Sequence, residues 1–318
     1  MKWLYIGTKL PIWAEFYPYI LRDLKMFHIK SLLLLEDENI AGHVLVYHEN
    51  TEILYFGFFG ILNHEANKIS FLISKLIDYG KKNNFSKIVG PINIPTLIYG
   101  WGFLEKDGTT NLYIGKPINP PLYQDLFFQK GFTVKSKELS LEGPVLKFSE
   151  SMLSNYDSEN YDMFHPKNWK EVLEFKQTFF ELNANLPPGS VITPGINNLY
   201  ENAVEFLKNY GHLFMITFLR HKPTNQIVGS FVCLPNPFRK DDEGVYDSYV
   251  VYSILVDKKH QAKGMGGILT LTAVNEAWKN KIRYNSSPFE SKASRSISLG
   301  KKFGLKIKRT HLILEYII

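Results

Sequence analysis

Cysteine is almost absent from this chain of 318 residues, which has only Cys233. A single cysteine cannot form an internal disulfide, so the sequence excludes a disulfide-stapled secreted domain and predicts a reducing, cytoplasmic location. Because Cys233 lies in the apolar run GSFVCL, we expect a buried core side chain and not a nucleophile. The nine histidines are scattered, without the pair spacing of a zinc site, so we expect no metal.

Long apolar runs are also missing. The longest, about Ser31–Leu35 and Ile53–Leu62, fall short of the roughly 20 residues that a membrane helix needs, so we expect no membrane insertion. Pro11 interrupts the N-terminal segment where a signal peptide needs an unbroken apolar core, so none is expected. The net charge of +6 permits an anionic ligand but does not require nucleic acid.

The rest of the composition is that of a globular protein. Hydrophobic residues make up 45% and charged residues 21% of a chain long enough for about two domains. Strand-like and helix-like segments follow each other in the same order in both halves, and the polar stretch Ser149–Glu159 is the best linker. We therefore predict an α/β fold with two domains, residues 1–148 and 149–318.

A loop rich in glycine and lysine, DKKHQAKG, follows a strand that ends at Val256 and precedes a helix. The first amides of a helix have no intrahelical partner, and the helix dipole favours negative charge there. Gly264, Gly266 and Gly267 leave the backbone open, and Lys263 adds a positive charge. The arrangement predicts a phosphate site.

Three phosphate loops and a plain strand-to-helix turn are the alternatives. No Lys-Ser/Thr pair follows a glycine, which excludes a P-loop, and Leu269 stands at the third glycine of a dinucleotide fingerprint. The segment Gln261–Gly266, after the strand that ends at Val256, resembles the acyl-coenzyme A (acyl-CoA) loop of the GNAT acyltransferase superfamily, Gln/Arg-x-x-Gly-x-Gly/Ala. His260 replaces the usual aromatic residue before it, and Ala262 replaces the usual glycine.

The resemblance extends over about Tyr161–Ile318, where NQIVGSFVCLP and KKFGLK are similar to the paired strands and the closing turn of that superfamily. The first half resembles it in GPIN, LYQDLFFQKGF and KELSL, but Gly60–Asn67 carries no such loop. The resemblance implies two GNAT-like domains in tandem, each with a mostly antiparallel sheet flanked by helices. Only the second would keep a cofactor loop.

The resemblance implies an N-acyltransferase that moves an acyl group from acyl-CoA, most simply acetyl-CoA, to an amine by direct attack. The acceptor would be a small molecule or a peptide. The implied cofactor-binding residues form the end of the strand and the loop: Ile254, Leu255, Val256, Gln261, Ala262, Lys263, Gly264, Met265, Gly266 and Gly267.

The catalytic residues are less clear, because Gly300 stands four residues before the closing Gly304, where many members of the superfamily have a tyrosine acid. Glu290, near the end of the next strand, is the candidate general base, with Tyr249 and Tyr252 as alternatives. Tyr284 or a water is the candidate proton donor.

Two other functions remain open. Some transferases that use aminoacyl-tRNA are also tandem GNAT-like proteins, and the basic segment GKKFGLKIKRTH is compatible with tRNA. The missing tyrosine is compatible with a non-catalytic protein that binds coenzyme A.

Overall fold

The computed structural model describes residues 14–105, 111–153, 156–186 and 193–318. Two compact units divide the chain, and they do not follow its order: unit 1 is Met1–Leu139, Val191–Leu199 and Lys308–Ile318, and unit 2 is Ser140–Ser190 and Tyr200–Ile307. The units cross the predicted division at 148 and 149 because the last strand of the chain pairs within unit 1. That division of the chain into two GNAT-like halves stays a prediction.

The described residues form strands and helices in the mixed order expected of an α/β fold. The strands are β1 (His28–Glu36), β2 (Asn39–His48), β3 (Ile53–Ile61), β4 (Lys87–Gly90), β5 (Phe103–Leu104), β6 (Thr133–Pro144), β7 (Tyr161–Phe164), β8 (Ile216–His221), β9 (Gln226–Pro235), β10 (Ser248–Val256), β11 (Tyr284–Glu290) and β12 (Lys306–Ile317). The helices are α1 (Tyr17–Leu24), α2 (Ala66–Lys82), α3 (Thr96–Tyr99), α4 (Leu122–Gln129), α5 (Glu150–Leu153), α6 (Trp169–Glu174), α7 (Lys176–Asn183), α8 (Ile196–Tyr210), α9 (Met265–Lys279) and α10 (Ser294–Lys302).

The sheet of unit 1 has the strand order β1-β2-β3-β4-β12, with β5 beside β12. All these pairs are antiparallel except β3 and β4, which run parallel. Helix α2 turns a stripe that includes Ile69, Leu72 and Leu76 into the core, where these side chains are at most 2% exposed. Their spacing of three and four residues explains both the helix and the face that it buries.

The sheet of unit 2 has the order β11-β10-β9-β8-β7, again antiparallel except for one parallel pair, β10 and β11. Helix α9 packs Leu269 and Ala273 into the core that contains Tyr249 and Val251 of β10. Mostly antiparallel sheets flanked by helices confirm the predicted fold class. Within the ranges described above, no helix is long and apolar enough to span a membrane.

Candidate functional site

The loop between β10 and α9 is held in place by its own side chains. The carboxylate of Asp257 accepts a hydrogen bond from the backbone N–H of Lys259 at 2.9 Å. The side-chain amide of Gln261 donates to the carbonyl of Val256 at 2.8 Å, which ties the middle of the loop to the end of the strand. Gln261 therefore positions the loop, and its predicted part in binding the cofactor stays a prediction.

Two residues of the loop have left-handed backbone conformations. Gly264, which precedes α9, has a φ of +78°, and Ala262 has a φ of +62°. This region favours glycine, because a Cβ costs about 1–2 kcal/mol there. The structure thus explains why the superfamily has glycine at the position of Ala262, and why the replacement carries a cost in this chain.

The backbone at the start of α9 is open. A Cβ built on Gly264 would have no heavy atom within 4 Å, and one built on Gly266 would meet only Val256 Cγ2, at 3.9 Å. The first amides of α9 have no intrahelical acceptor. Open space beside free amides at a helix N-terminus is the cradle that a phosphate fits.

The two parallel strands of unit 2 separate just before this loop. Pairing of β10 with β11 ends at Val250 and Ser286, whereas β10 continues to Val256 and stays paired with β9 on its other side. A register shift between Val251 and Ser253 marks a β-bulge at Tyr252. The edge Ser253–Val256 therefore has no strand partner on the β11 side among the residues that the structure describes.

Buried hydroxyl groups flank this opening. The Oγ atoms of Ser253 and Ser286 are buried, and neither has a hydrogen-bond partner within the described ranges. Ser286 is 0% exposed, and Ser253 is the first residue after the bulge. Both residues therefore place a buried hydroxyl near the point where the two strands part.

The three candidate catalytic residues are not brought to one place. Tyr252 lies at the bulge, beyond the last β10–β11 pair, and Glu290 is the last residue of β11. Tyr284 lies on the other side of that last pair, opposite Ser248, about 13 Å along the strand direction from the level of Tyr252. Tyr252 and Glu290 thus border the opening from its two strands, and Tyr284 lies outside it.

Two of these side chains already have partners. The carboxylate of Glu290 accepts hydrogen bonds from the backbone N–H of Lys292 at 2.7 Å and from the hydroxyl of Ser291 at 3.2 Å. The ring of Tyr284 lies under the guanidinium of Arg239, 3.6 Å from its centre. These contacts fix both side chains, and the carboxylate keeps further acceptor positions.

The position that holds a tyrosine acid in many members of the superfamily is glycine in this chain, and a side chain there would require its neighbours to shift. A Cβ built on Gly300 would lie 2.9 Å from Leu141 Cδ2 and 3.2 Å from the ring of Phe289. The Phe289 ring therefore packs where that side chain would begin. A proton donor, where one is needed, must come from elsewhere.

Sequence reasoning missed a polar cluster beside the loop. The hydroxyl of Tyr161, which is 1% exposed, lies 2.7 Å from Nδ1 of His260, and Nζ of Lys263 donates to the same hydroxyl at 3.4 Å. The ring centre of His221 is 4.9 Å from that of His260. Burial, then the nearby His221, holds the pKa of His260 below its usual value. No motif indicated this cluster, because Tyr161 and His221 are distant in the sequence.

Unit 1 contains the corresponding pair of parallel strands, but its gap is filled by the chain itself. Pairing of β3 with β4 ends at Tyr55 and Val89. Beyond it, the N–H of Ile92 donates to the carbonyl of Phe56 at 2.7 Å, and the side-chain oxygen of Asn93 accepts from the N–H of Phe58 at 2.7 Å. The edge that stays open in β10 is thus occupied in β3.

The turn after β3 is closed as well. The hydroxyl of Tyr123 accepts a hydrogen bond from the N–H of Ile61 at 2.9 Å and lies 3.0 Å from Nδ1 of His64. Tyr123 is fully buried and belongs to α4. A tyrosine therefore covers the segment Gly60–Asn67, in which the sequence has no phosphate loop.

The described residues offer neither a reactive thiol nor a metal centre as an alternative functional site. Cys233 is 4% exposed, and burial raises the pKa of its thiol well above the usual value, so it stays protonated. Within the part of the chain that the structure describes, no group of three or more histidine, cysteine or acidic side chains could hold a metal ion.

Comparisons with known proteins agree on the fold. No family model matches the chain, and no curated protein does. Among solved structures, a tandem GNAT protein from the clavulanic acid biosynthesis pathway is similar at a TM-score of 0.62 and 9% identity, over 98% of this chain and 90% of that one. The chain has the tandem GNAT fold. This confirms the fold that the resemblance in sequence implied.

Two further structures share the GNAT fold with this chain. One is a GCN5-related N-acetyltransferase from Sphaerobacter thermophilus, with a TM-score of 0.56 and 9% identity, over 90% of this chain and 80% of that one. The other is a GCN5-related glucosamine N-acetyltransferase region of a fungal multi-domain β-N-acetylglucosaminidase, with a TM-score of 0.65 and 13% identity. That match spans 97% of this chain and 35% of the other.

Proposed function

We propose that the chain is an acyl-CoA-dependent N-acyltransferase, with acetyl-CoA as the simplest donor and the amine of a small molecule or peptide as acceptor. The observation that carries the proposal is the combination in unit 2 of an open cradle at the start of α9 and an unpaired strand edge directly before it. The GNAT fold of the chain supports acyl transfer in general.

The residues around the cradle fit coenzyme A. The amides of Gly264, Met265 and Gly266 would bind the pyrophosphate, because the space above them is open and the helix dipole favours an anion. The edge Ser253–Val256 would bind the amide groups of the pantetheine arm, since it has the hydrogen-bonding groups of a strand without a neighbour. Ile254 and Leu255 belong to this edge.

Acyl-CoA supplies a thioester, whose acyl group an amine can take by direct attack with release of the thiol. The protein must hold the two reactants together, take one proton from the amine and return one to the thiolate. We assign the first proton to the carboxylate of Glu290 and the second to the phenol of Tyr252, because these two residues lie beyond the last β10–β11 pair, one on each strand.

Fixed geometry supports these assignments. Hydrogen bonds from Ser291 and Lys292 hold the carboxylate of Glu290 in place, while leaving it acceptor positions for a proton. The bulge at Tyr252 re-aims that side chain relative to a regular strand. Gly300 has no side chain and cannot supply the acid.

The test is turnover of acetyl-CoA with a panel of amines, including amino sugars, polyamines and peptides with free N-termini, followed by release of free thiol. We expect thiol release that depends on one class of amine and is lost in Glu290→Gln. Binding of acetyl-CoA without turnover on every class would contradict the transferase proposal and favour a protein that only binds coenzyme A.

A further inference from the structure

The polar cluster beside the loop offers hydrogen-bond donors that the fold does not use. His260 engages Tyr161 through Nδ1, and His221 engages the hydroxyl of Thr224 through Nδ1 at 2.9 Å. Neither Nε2 has a hydrogen-bond partner among the residues that the structure describes. Both rings are therefore fixed by one nitrogen and present the other to a ligand.

Tyr161 links Lys263 to His260. The ammonium of Lys263 can only donate, so the Tyr161 hydroxyl accepts from it and keeps its own proton, which it can donate to Nδ1 of His260. An imidazole that accepts at Nδ1 carries its proton on Nε2. In that tautomer His260 is a donor at Nε2 even when it is neutral.

The cluster combines one ammonium group with two imidazoles. His221 and His260 are 4.9 Å apart between ring centres, which is close enough for one phosphate group to accept a hydrogen bond from each. Two carboxylates lie nearby: Asp257 accepts from the N–H of Lys259, and Asp157 accepts from the side chain of Asn160 and interacts electrostatically with Lys263 and His221. Among the described residues neither carboxylate is hydrogen-bonded to the cluster, so its donors stay open to an anion.

We infer that His221, His260 and Lys263 form a second phosphate site, which binds the 3′-phosphate on the ribose of coenzyme A. The inference rests on the proposed function, since coenzyme A carries this phosphate in addition to the pyrophosphate. The site adjoins the pyrophosphate cradle, because Lys263 directly precedes Gly264. It selects coenzyme A over analogues that lack the 3′-phosphate.

The experiment is a calorimetric titration of the full chain with coenzyme A and with 3′-dephospho-coenzyme A. We expect coenzyme A to bind about tenfold more tightly, which corresponds to one charge-assisted hydrogen bond. His260→Asn and His221→Asn keep a polar atom near the position of Nδ1 but remove the Nε2 donor. Each should weaken coenzyme A binding and leave 3′-dephospho-coenzyme A unchanged.

A matched control exists in unit 1. His64 also contacts a tyrosine hydroxyl through Nδ1, so His64→Asn makes the same change away from the cluster and should keep the discrimination. Equal binding of the two ligands by the unmodified chain would overturn the second phosphate site and leave the proposed function intact. Discrimination that survives in both cluster variants would overturn the assignment to these residues. If neither ligand binds, both the site and the proposed function fail.

Discussion

The side-chain oxygen of Asn93 accepts a hydrogen bond from the backbone N–H of Phe58, 2.7 Å away, and its amide nitrogen donates to the carbonyl of Tyr99 at 2.9 Å. The side-chain amide of Asn93 thereby completes the edge of β3. In unit 2 the corresponding edge of β10 has no such partner among the described residues. The two units share a strand arrangement, and one keeps its gap open while the other fills it with its own chain.

Replacing Asn93 with alanine should destabilise the protein. Asn93 is 4% exposed, so its loss leaves two backbone groups buried without partners, at a cost of about 1–3 kcal/mol for each. Urea unfolding of Asn93→Ala measures the change in free energy. Asn83→Ala is the control, because that exposed side chain caps the end of α2 and should cost well under 1 kcal/mol. Equal effects of the two changes would show that the Asn93 contacts are unimportant.

A negative charge in the cradle should abolish the binding of acetyl-CoA without unfolding the protein. A side chain at Gly266 meets open space, so Gly266→Glu should fold normally and repel a phosphate. Calorimetry gives the affinity, and thermal unfolding checks the fold. Lys279→Glu, at the opposite end of α9, introduces a glutamate about 20 Å away along the helix axis and should bind normally. Normal binding of acetyl-CoA by Gly266→Glu would refute the assignment of the phosphate site to the start of α9.

Glycine at position 262 should stabilise the loop. With a φ of +62°, Ala262 has a backbone conformation that costs about 1–2 kcal/mol for a residue with a Cβ. Removing the Cβ relieves this cost, and part of that gain in stability is offset by the greater chain entropy of glycine in the unfolded state. Urea unfolding should show Ala262→Gly to be equal to or more stable than the natural chain. Ala203→Gly in α8 should have the opposite sign, by about 1 kcal/mol. A loss of stability in Ala262→Gly would contradict the assigned backbone conformation.

Replacing each candidate tyrosine with phenylalanine, which removes only the phenol oxygen, should show which of the two donates the proton. We expect Tyr252→Phe to lower kcat by about 10²-fold, the usual size of a lost proton transfer, with little change in KM for acetyl-CoA. Tyr284→Phe should leave kcat unchanged, because that ring lies under Arg239 and on the paired side of β10 and β11. The measurement is the steady-state kinetics of both variants, with the acceptor amine identified from the panel. The reverse result would move the proton donor to Tyr284.

Stability should fall as the pH drops below about 6.5, partly through His311. Burial lowers the pKa of His311 from 6.5 to about 3 in the folded protein, so between these values the unfolded chain binds a proton that the folded chain excludes. His311 contributes fully to the free energy of unfolding above the pKa that it has in the unfolded chain. Below that pKa the contribution falls by about 1.4 kcal/mol per pH unit.

The variant His311→Gln tests this pH dependence. Its side-chain amide can still donate to the carbonyl of Pro117, which lies 2.9 Å from Nε2 of His311, but it cannot take up a proton. Urea unfolding at about pH 7 and about pH 5 should show a weaker loss of stability in the variant than in the natural chain. Part of the loss of stability at low pH should remain in the variant, because burial also lowers the pKa of His43, to about 4. Identical pH dependence in both proteins would exclude a role for His311.

The sequence predicted the local part of the site. Helix α9 follows the glycine-rich loop as predicted, because apolar periodicity and glycine are signals within a short window. The backbone at Gly264 and Gly266 is open, as expected of glycines in this loop, and the binding of a cofactor there stays a prediction. The mixed sheet and the tandem GNAT fold were also predictable from the order of elements together with the loop motif.

Contacts between segments that are distant in the sequence were not predictable. The last strand, β12, pairs with β4 of unit 1, although the two are more than 200 residues apart in the sequence. The Asn93 contact that fills the gap in unit 1 and the contact between Tyr161 and His260 also join distant segments. Periodicity carries no information about such pairs, since it describes one element at a time. The close contacts of Leu141 and Phe289 around Gly300 likewise depend on packing alone.

The most direct test of the central claim is a calorimetric titration of the full chain with acetyl-CoA. The open edge of β10 and the filled edge of β3 predict saturable binding at one site per chain. That binding should be lost in Gly266→Glu and retained in Lys279→Glu. Two sites per chain would contradict the filled gap in unit 1, and no binding at all would contradict the assignment of the loop to acyl-CoA.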